Sequence, residues 1–304
     1  MEYFTNPEIP ENIDGGRDGH GRTFLRVVFK ALVFFFLLIV AADILARILA
    51  PFVPFDWEEP LAPTLTLKAP EDAQGGRIER ELNILAQKVA EVMNLPPEAK
   101  VIVHYSDGET VNAAATFGGH IIIYKGLLEL LESEDALAAV LAHEIGHIKN
   151  RDLIKGLFRV VTFSLVVMAA NGYSESGGLE SLLGDLGLLG FSRWQEDAAD
   201  LEATLALGRL YGHTKGFEES FLVLQAAKEG HLQSPELFST HPDILKRINR
   251  SKKRSAGLGL PTEGSTQPLG GALMLRPKIE GALRRQPVQS LWGHSDIRTK
   301  IRTI

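Results

Sequence analysis

The residues with the most chemical promise are His143-Glu144-Ile145-Gly146-His147. On a helix, side chains four apart leave the same face about one turn from each other, so both imidazoles can reach one metal ion. Glu144 lies beside that face and can address a water in an open coordination position. This is the HExxH arrangement, two zinc ligands and a general base. A catalytic zinc also needs a third protein ligand and an empty fourth position. No histidine stands six residues beyond His147, where the extended form of the motif has one. Further along, residues 193–200 read Arg-Trp-Gln-Glu-Asp-Ala-Ala-Asp. Glu196 and Asp200 are four apart and share a face. Glu196 can bind the zinc while Asp200 receives the outer N–H of a ligand histidine and fixes its tautomer. Ala198 and Ala199 let this helix approach the first closely. Spacing alone is weak evidence here, because an acidic helix face is more often simply solvated.

These groups need elements to hold them. Ser133 is an N-cap candidate, with Glu134 and Asp135 in the positive first turn, and the helix it opens runs to about Asn150. Upstream, Ile78, Leu82, Leu85, Val89 and Val92 recur at helical spacing between Arg77 and Met93, and Pro96-Pro97 ends the pattern. Val101–Tyr105 and His120–Tyr124 are β-rich and separated by glycine-containing turns. Leu157–Ala170 is apolar but short, which suits a core helix or one lying on a membrane surface. Residues 171–192, rich in Gly, Ser and Leu, read as a mobile connection. Helices are expected again at Arg193–Tyr211, Phe217–Glu229 and Pro242–Arg250. There is no internal repeat.

The chain of 304 residues is 45% hydrophobic and 23% charged, so it can build a sizeable core and is not a disordered chain. A formal charge of -6 gives no basic footprint for nucleic acid. With no cysteine, disulfides, thiolate metal sites and cysteine nucleophiles are excluded, and any metal must sit among histidines and carboxylates. From Phe24 to Ala50 the sequence is apolar enough to span a bilayer. Arg17, Arg22, Arg26 and Lys30 precede or enter it and Asp56, Glu58 and Glu59 follow, so the positive-inside rule puts the N-terminus in the cytoplasm and the rest outside, on the periplasmic side of a cell membrane. A cleaved signal peptide ending near Val40-Ala41-Ala42 and a buried core helix are the competing readings. The expected division is a cytoplasmic tail 1–23, an anchor 24–50, a proline-rich stiff linker 51–76, a folded domain 77–251 and a basic tail 252–304. The tail is either solvated or attached to an anionic membrane surface or an acidic partner.

Taken together these residues resemble a known family, the membrane-associated zinc metallopeptidases that include the type I CaaX prenyl protease, the bacterial heat-shock protease HtpX and their periplasmic relatives. The resemblance rests on Asn112-Ala113, on Gly119–Tyr124 followed by Gly126-Leu127-Leu128, on HEIGH at 143–147, on Glu196–Asp200, and on Ser239-Thr240-His241-Pro242 with Arg247, in that order. It implies an α+β, mostly helical zincin-like domain with a small sheet, which here would follow the single transmembrane helix read at 24–50. It also implies one zinc ion held by His143, His147 and Glu196, with Glu144 as base, His241 stabilising the oxyanion and Arg247 ordering the site. The strand 120–124, through His120, Ile121 and Ile122, fits the edge on which an extended substrate aligns by main-chain pairing, with Asn112 helping to hold it; an apolar run of this kind also suits a core strand. Integral members carry several membrane helices around the zinc, whereas one full-length candidate exists here. That points to a tethered domain acting on unfolded or misassembled polypeptides. A zinc-stabilised binder of unfolded clients and a zinc hydrolase of non-peptide substrates are the alternatives. An oligomer is allowed but has no support in the sequence.

Overall fold

The computed structural model describes residues 17–64, 72–171, 190–229 and 244–275. The chain divides into two units, one of residues 1–52 and 154–185, the other of residues 53–153 and 186–304.

In the first unit, α1 (Arg17–Leu49) follows from an almost unbroken apolar run with no proline or helix-breaking turn. Its apolar side chains from Phe24 to Leu49 are largely exposed, which is not the pattern of a buried core helix. Residues 21–52 are long and apolar enough to cross a membrane. The one acid in the run is locally paired: Asp43 accepts from Arg47 at 2.8 Å and lies 3.8 Å from Arg159 of α5 (Asp152–Asn171).

The second unit is built on a three-stranded sheet of order β1-β3-β2, with β1 (Ile102–Ser106) parallel and β2 (Ala113–Thr116) antiparallel to the central β3 (His120–Tyr124). Val103, Ile121 and Ile123 face the core, where they join Leu82, Leu85 and Val89 of α2 (Ala73–Val92) and Leu137, Leu141 and Ile145 of α4 (Glu134–Lys149). A single turn, α3 (Lys125–Leu128), links β3 toward α4. The turn between β2 and β3 requires glycine: Gly119 has φ 79°, and a Cβ there would stand 1.9 Å from the carbonyl oxygen of Lys100.

α2 uses a polar stripe to close one edge of the sheet. Glu79 accepts from the Tyr105 N–H at 3.0 Å, Asn83 exchanges two hydrogen bonds with Val103 at 2.7 and 2.9 Å, and Gln87 donates to Val101 O at 2.8 Å. These bonds occupy Val101 O, both backbone groups of Val103 and Tyr105 N on the outer side of β1. β2 is left as the open edge among the described residues.

α4 begins as its sequence demands, with the Ser133 hydroxyl accepting from the Ala136 N–H at 3.1 Å. Every residue from Asp135 to Ile148 is buried, because the sheet, α6 (Arg193–Tyr211) and α7 (Lys215–Glu229) all pack around it. α6 opens with a capping box between Ser192 and Gln195 and closes on left-handed Gly212. α8 (Ile244–Gly257) completes the bundle.

Two expected boundaries move. Residues 53–62 are not a free spacer: Glu58 and Ala62 are buried and Phe55 packs against the core. Proline content was the signal for a linker, but here it builds short 3-10 turns at 55–57 and 59–64 that dock. Nor does the fold stop at 251. Residues 258–275 return to the start of α4 and to α2, where Gln267 O accepts from Glu134 N at 2.8 Å, Ala272 N donates to Glu81 at 2.9 Å, and Leu269 and Leu273 are buried. The remainder of the expected tail, residues 1–16 of the expected N-terminal segment 1–23 and most of the connection 171–192 lie outside the described residues.

Candidate active site

His143 and His147 project from α4 and Glu196 from the first turn of α6, and all three are buried. Gly146, between the histidines, makes the approach of the two helices possible: a Cβ there would lie 3.0 Å from the Ala199 Cα. The two Nε2 atoms stand 3.2 Å apart, His147 Nε2 lies 3.5 Å from Glu196 Oε1, and His143 Nε2 lies 3.7 Å from Glu196 Oε2. Ligands at about 2.1 Å around a tetrahedral ion sit about 3.4 Å from one another, so the separations fit a bound metal without rearrangement.

Behind these donors stands a second set of charges. Asp152 Oδ2 lies 2.9 Å from His147 Nδ1, and Asp200 Oδ1 lies 3.1 Å from His143 Nδ1. Each outer N–H can thus be held by a carboxylate, which turns the Nε2 lone pairs inward toward the metal position. Arg247, from α8, reaches the same cluster. It donates to Asp200 through Nε at 2.9 Å and Nη2 at 2.6 Å, and its Nη1 lies 2.5 Å from Glu196 Oε2. Its Nη2 also lies 3.1 and 3.2 Å from the two His143 nitrogens, and its guanidinium covers the Phe221 ring at 4.6 Å. Such a two-pronged contact suits a buried guanidinium.

The charges reveal what the cluster wants. Burial pushes His147 down, but Asp152 and Glu196 outweigh it and hold the imidazole up at about 9. Burial and the Arg247 charge push His143 the other way. Burial raises Asp200, yet Arg247 and His143 overcome it and keep the carboxyl well below the usual range. Asp152 and Glu196 thus favour positive charge on His147, while burial and Arg247 disfavour it on His143.

Glu144 is buried, and its Oε2 accepts from the Ala115 N–H at 2.8 Å. Asn112 O accepts from Tyr124 N, so residues 112, 114 and 116 face β3 while 113 and 115 face the free edge of β2. The motif glutamate is therefore tied to the sheet edge beside the metal position. A cavity opens there, lined by apolar Leu127, Val140, Phe221 and Leu224 next to His143 and Glu144.

The expectation that residues 120–124 form that edge is corrected. β3 is the middle strand, with both sides spent on β1 and β2, so His120, Ile121 and Ile122 cannot align a peptide by main-chain pairing. His120 instead meets His104, its Nδ1 being 2.8 Å from His104 Nε2. Asn112 is buried just before β2 with its Oδ1 unpartnered. His241 lies outside the described residues. Asp152 and the Ala115 N–H touch His147 and Glu144, contacts the motif did not announce. The only signal for Asp152 is a carboxylate five residues past His147.

Peptidase family M48 matches residues 76–255, more than half of the chain. The chain belongs to peptidase family M48. Family relatives include the mitochondrial metalloendopeptidase OMA1 of Schizosaccharomyces pombe, 32% identical over 49% of this chain and 44% of its own. The beta-barrel assembly-enhancing protease of Escherichia coli is 27% identical over 49% of this chain and 33% of its own. A protease HtpX homolog of Pyrococcus abyssi is 28% identical over 59% of this chain and 75% of its own. The chain thus spans less than half the length of the first two. Membership of the M48 family implies a metal, and the buried His143, His147 and Glu196 are the group able to hold it.

Proposed function

We propose that this protein is a membrane-anchored zinc metalloendopeptidase that hydrolyses peptide bonds in unfolded or misassembled polypeptides. One observation carries the reading: the His143–His147–Glu196 group stands beside Glu144, whose carboxylate is anchored at the open edge of β2. Two imidazoles and one carboxylate are a donor set that suits zinc. Bound there, zinc would supply Lewis acidity to a water and to the scissile carbonyl.

The chain's own residues do the rest. Glu144 is placed to take a proton from the attacking water and to deliver it to the departing amine. The outward-facing groups of β2 other than the Ala115 N–H, which Glu144 occupies, offer an extended peptide a main-chain partner, and the adjoining apolar cavity accepts one of its side chains. Arg247 and Asp200 hold Glu196 and His143 in place rather than meeting the peptide. The charge bias across α1 supports an N-terminus in the cytoplasm and a peptidase domain on the far side of the membrane.

The test uses the full chain in detergent, loaded with one equivalent of zinc, with an unfolded protein such as casein as substrate. Glu144→Gln is expected to keep its zinc and to lose about 10²–10⁴ in kcat, the contribution of a general base. Equal cleavage by wild type and variant at equal metal content would refute the assignment. If neither cuts although both hold zinc, the peptidase reading fails and the binding of unfolded clients becomes the reading to test.

A further inference from the structure

The segment that follows α1 in sequence packs onto the back of the metal centre. Glu58 and Arg151 form a buried ion pair. Arg151 also donates to Val53 O, and its guanidinium covers the Phe55 ring at 3.8 Å. Arg151 itself has φ 58°, a left-handed conformation that a side chain of this size keeps only where its surroundings impose it. It stands at the corner between α4 and α5, one residue after the N–H of Asn150 has closed the last turn of α4. The next residue is Asp152, whose carboxylate holds His147 Nδ1 and whose carbonyl accepts from Gln195 beside Glu196 at 3.3 Å. Glu58 has a second contact. Its Oε2 accepts from Gly118 N at 3.3 Å, in the turn that closes β2.

We propose that residues 53–62 are a positioning strap for the catalytic centre, with Glu58 as its positioning residue. Through Arg151 it fixes the corner that aims Asp152 at His147. Through Gly118 it fixes the end of the strand whose Ala115 N–H holds Glu144. One carboxylate therefore sets the relative placement of a metal ligand and the general base without touching metal or substrate. The inference rests on His147 as a metal ligand, and it makes the strap part of the enzyme rather than a spacer.

The experiment measures zinc affinity of the full chain in detergent by chelator competition, with amide hydrogen exchange in the metal-free state. Glu58→Ala is expected to weaken zinc binding about tenfold, the lower end for an outer-shell change. Exchange should quicken at residues 113–119 and leave α7 amides unchanged, which a general loss of stability would not do. Glu59→Ala is the control, because Glu59 makes only an exposed pair with Lys100 at 2.8 Å; it should move affinity less than about twofold. In an Arg151→Ala background, Glu58→Ala should weaken zinc no further. Should Glu58→Ala not fold, Glu58→Gln keeps the shape, removes the charge and should still weaken binding. Wild-type affinity in the Glu58 variant, an equal loss in Glu59→Ala, or an undiminished loss in the Arg151→Ala background overturns the strap. A wild type that binds no zinc overturns the reading of His147 as well, so the two failures are distinct.

Discussion

Two histidine pairs lie in the same domain and behave in opposite ways. His104 and His120 meet through Nε2 and Nδ1 at 2.8 Å on neighbouring parallel strands. One ring donates, the other accepts, and the pair satisfies itself without any ion. His143 and His147 present Nε2 to Nε2 at 3.2 Å, with a carboxylate behind each ring and Glu196 beside both. With a carboxylate near each Nδ1, both Nε2 lone pairs can turn inward, where a cation can join them. What separates this candidate metal group from the His104–His120 contact is therefore the set of carboxylates around it. Asp152 and Asp200 decide which nitrogen looks inward.

The largest expected effect comes from removing a ligand. His147→Ala should abolish stoichiometric zinc binding and cut activity by about 10³-fold or more, whereas His104→Ala should leave metal content at one per chain. Metal analysis after dialysis reads both, and loss of zinc from His104→Ala would erase the distinction. A smaller effect is expected at the outer partner. Asp152→Asn keeps the shape but frees the His147 tautomer, and should lower zinc affinity or activity by about 10–100-fold. Chelator competition measures it, and an unchanged affinity would show that packing against Phe191, whose ring stacks on His147 at 3.8 Å, is enough to aim the imidazole.

The smallest effect separates the pairs by pH. Burial, helped by the His104 and Lys100 charges, lowers the His120 pKa. A depressed base favours folding in its neutral form. That stability is full above about pH 6.5 and is lost as pH falls through the depressed folded value. Thermal melts of wild type against His120→Gln should converge on acidification, by less than about 1 kcal/mol for a pair this open to solvent. A gap that widens toward low pH would reverse the sign.

Local signals in the sequence carried the helices and the motif. Ser133 and the Ser192–Gln195 box announce their helices by chemistry that acts within one turn. HEIGH needs only helical spacing to bring two imidazoles together, and Glu196 with Asp200 needs only a second helix close by. What local pattern could not convey was pairing. β2 reads Ala-Ala-Ala-Thr and lacks the branched and aromatic residues that mark a strand, while Ile-Ile-Ile-Tyr looks the same in the middle of a sheet as at its edge. The strap and the return of residues 258–275 were hidden for a related reason. Their anchors, Glu58 to Arg151 and Gln267 to Glu134 and Asp135, join residues far apart in the chain, and proline or basic content says nothing about such partners.

The polar stripe of α2 has a consequence for self-association. Growth of a β-aggregate by edge-to-edge addition needs two open sides on every unit, one to receive a strand and one to offer. With Glu79, Asn83 and Gln87 occupying the outer side of β1, this sheet keeps one. A visiting strand can join at β2, and a second protein can pair there too, but the stack ends at two. Among the described residues, a sheet with one open edge cannot by itself seed a fibre.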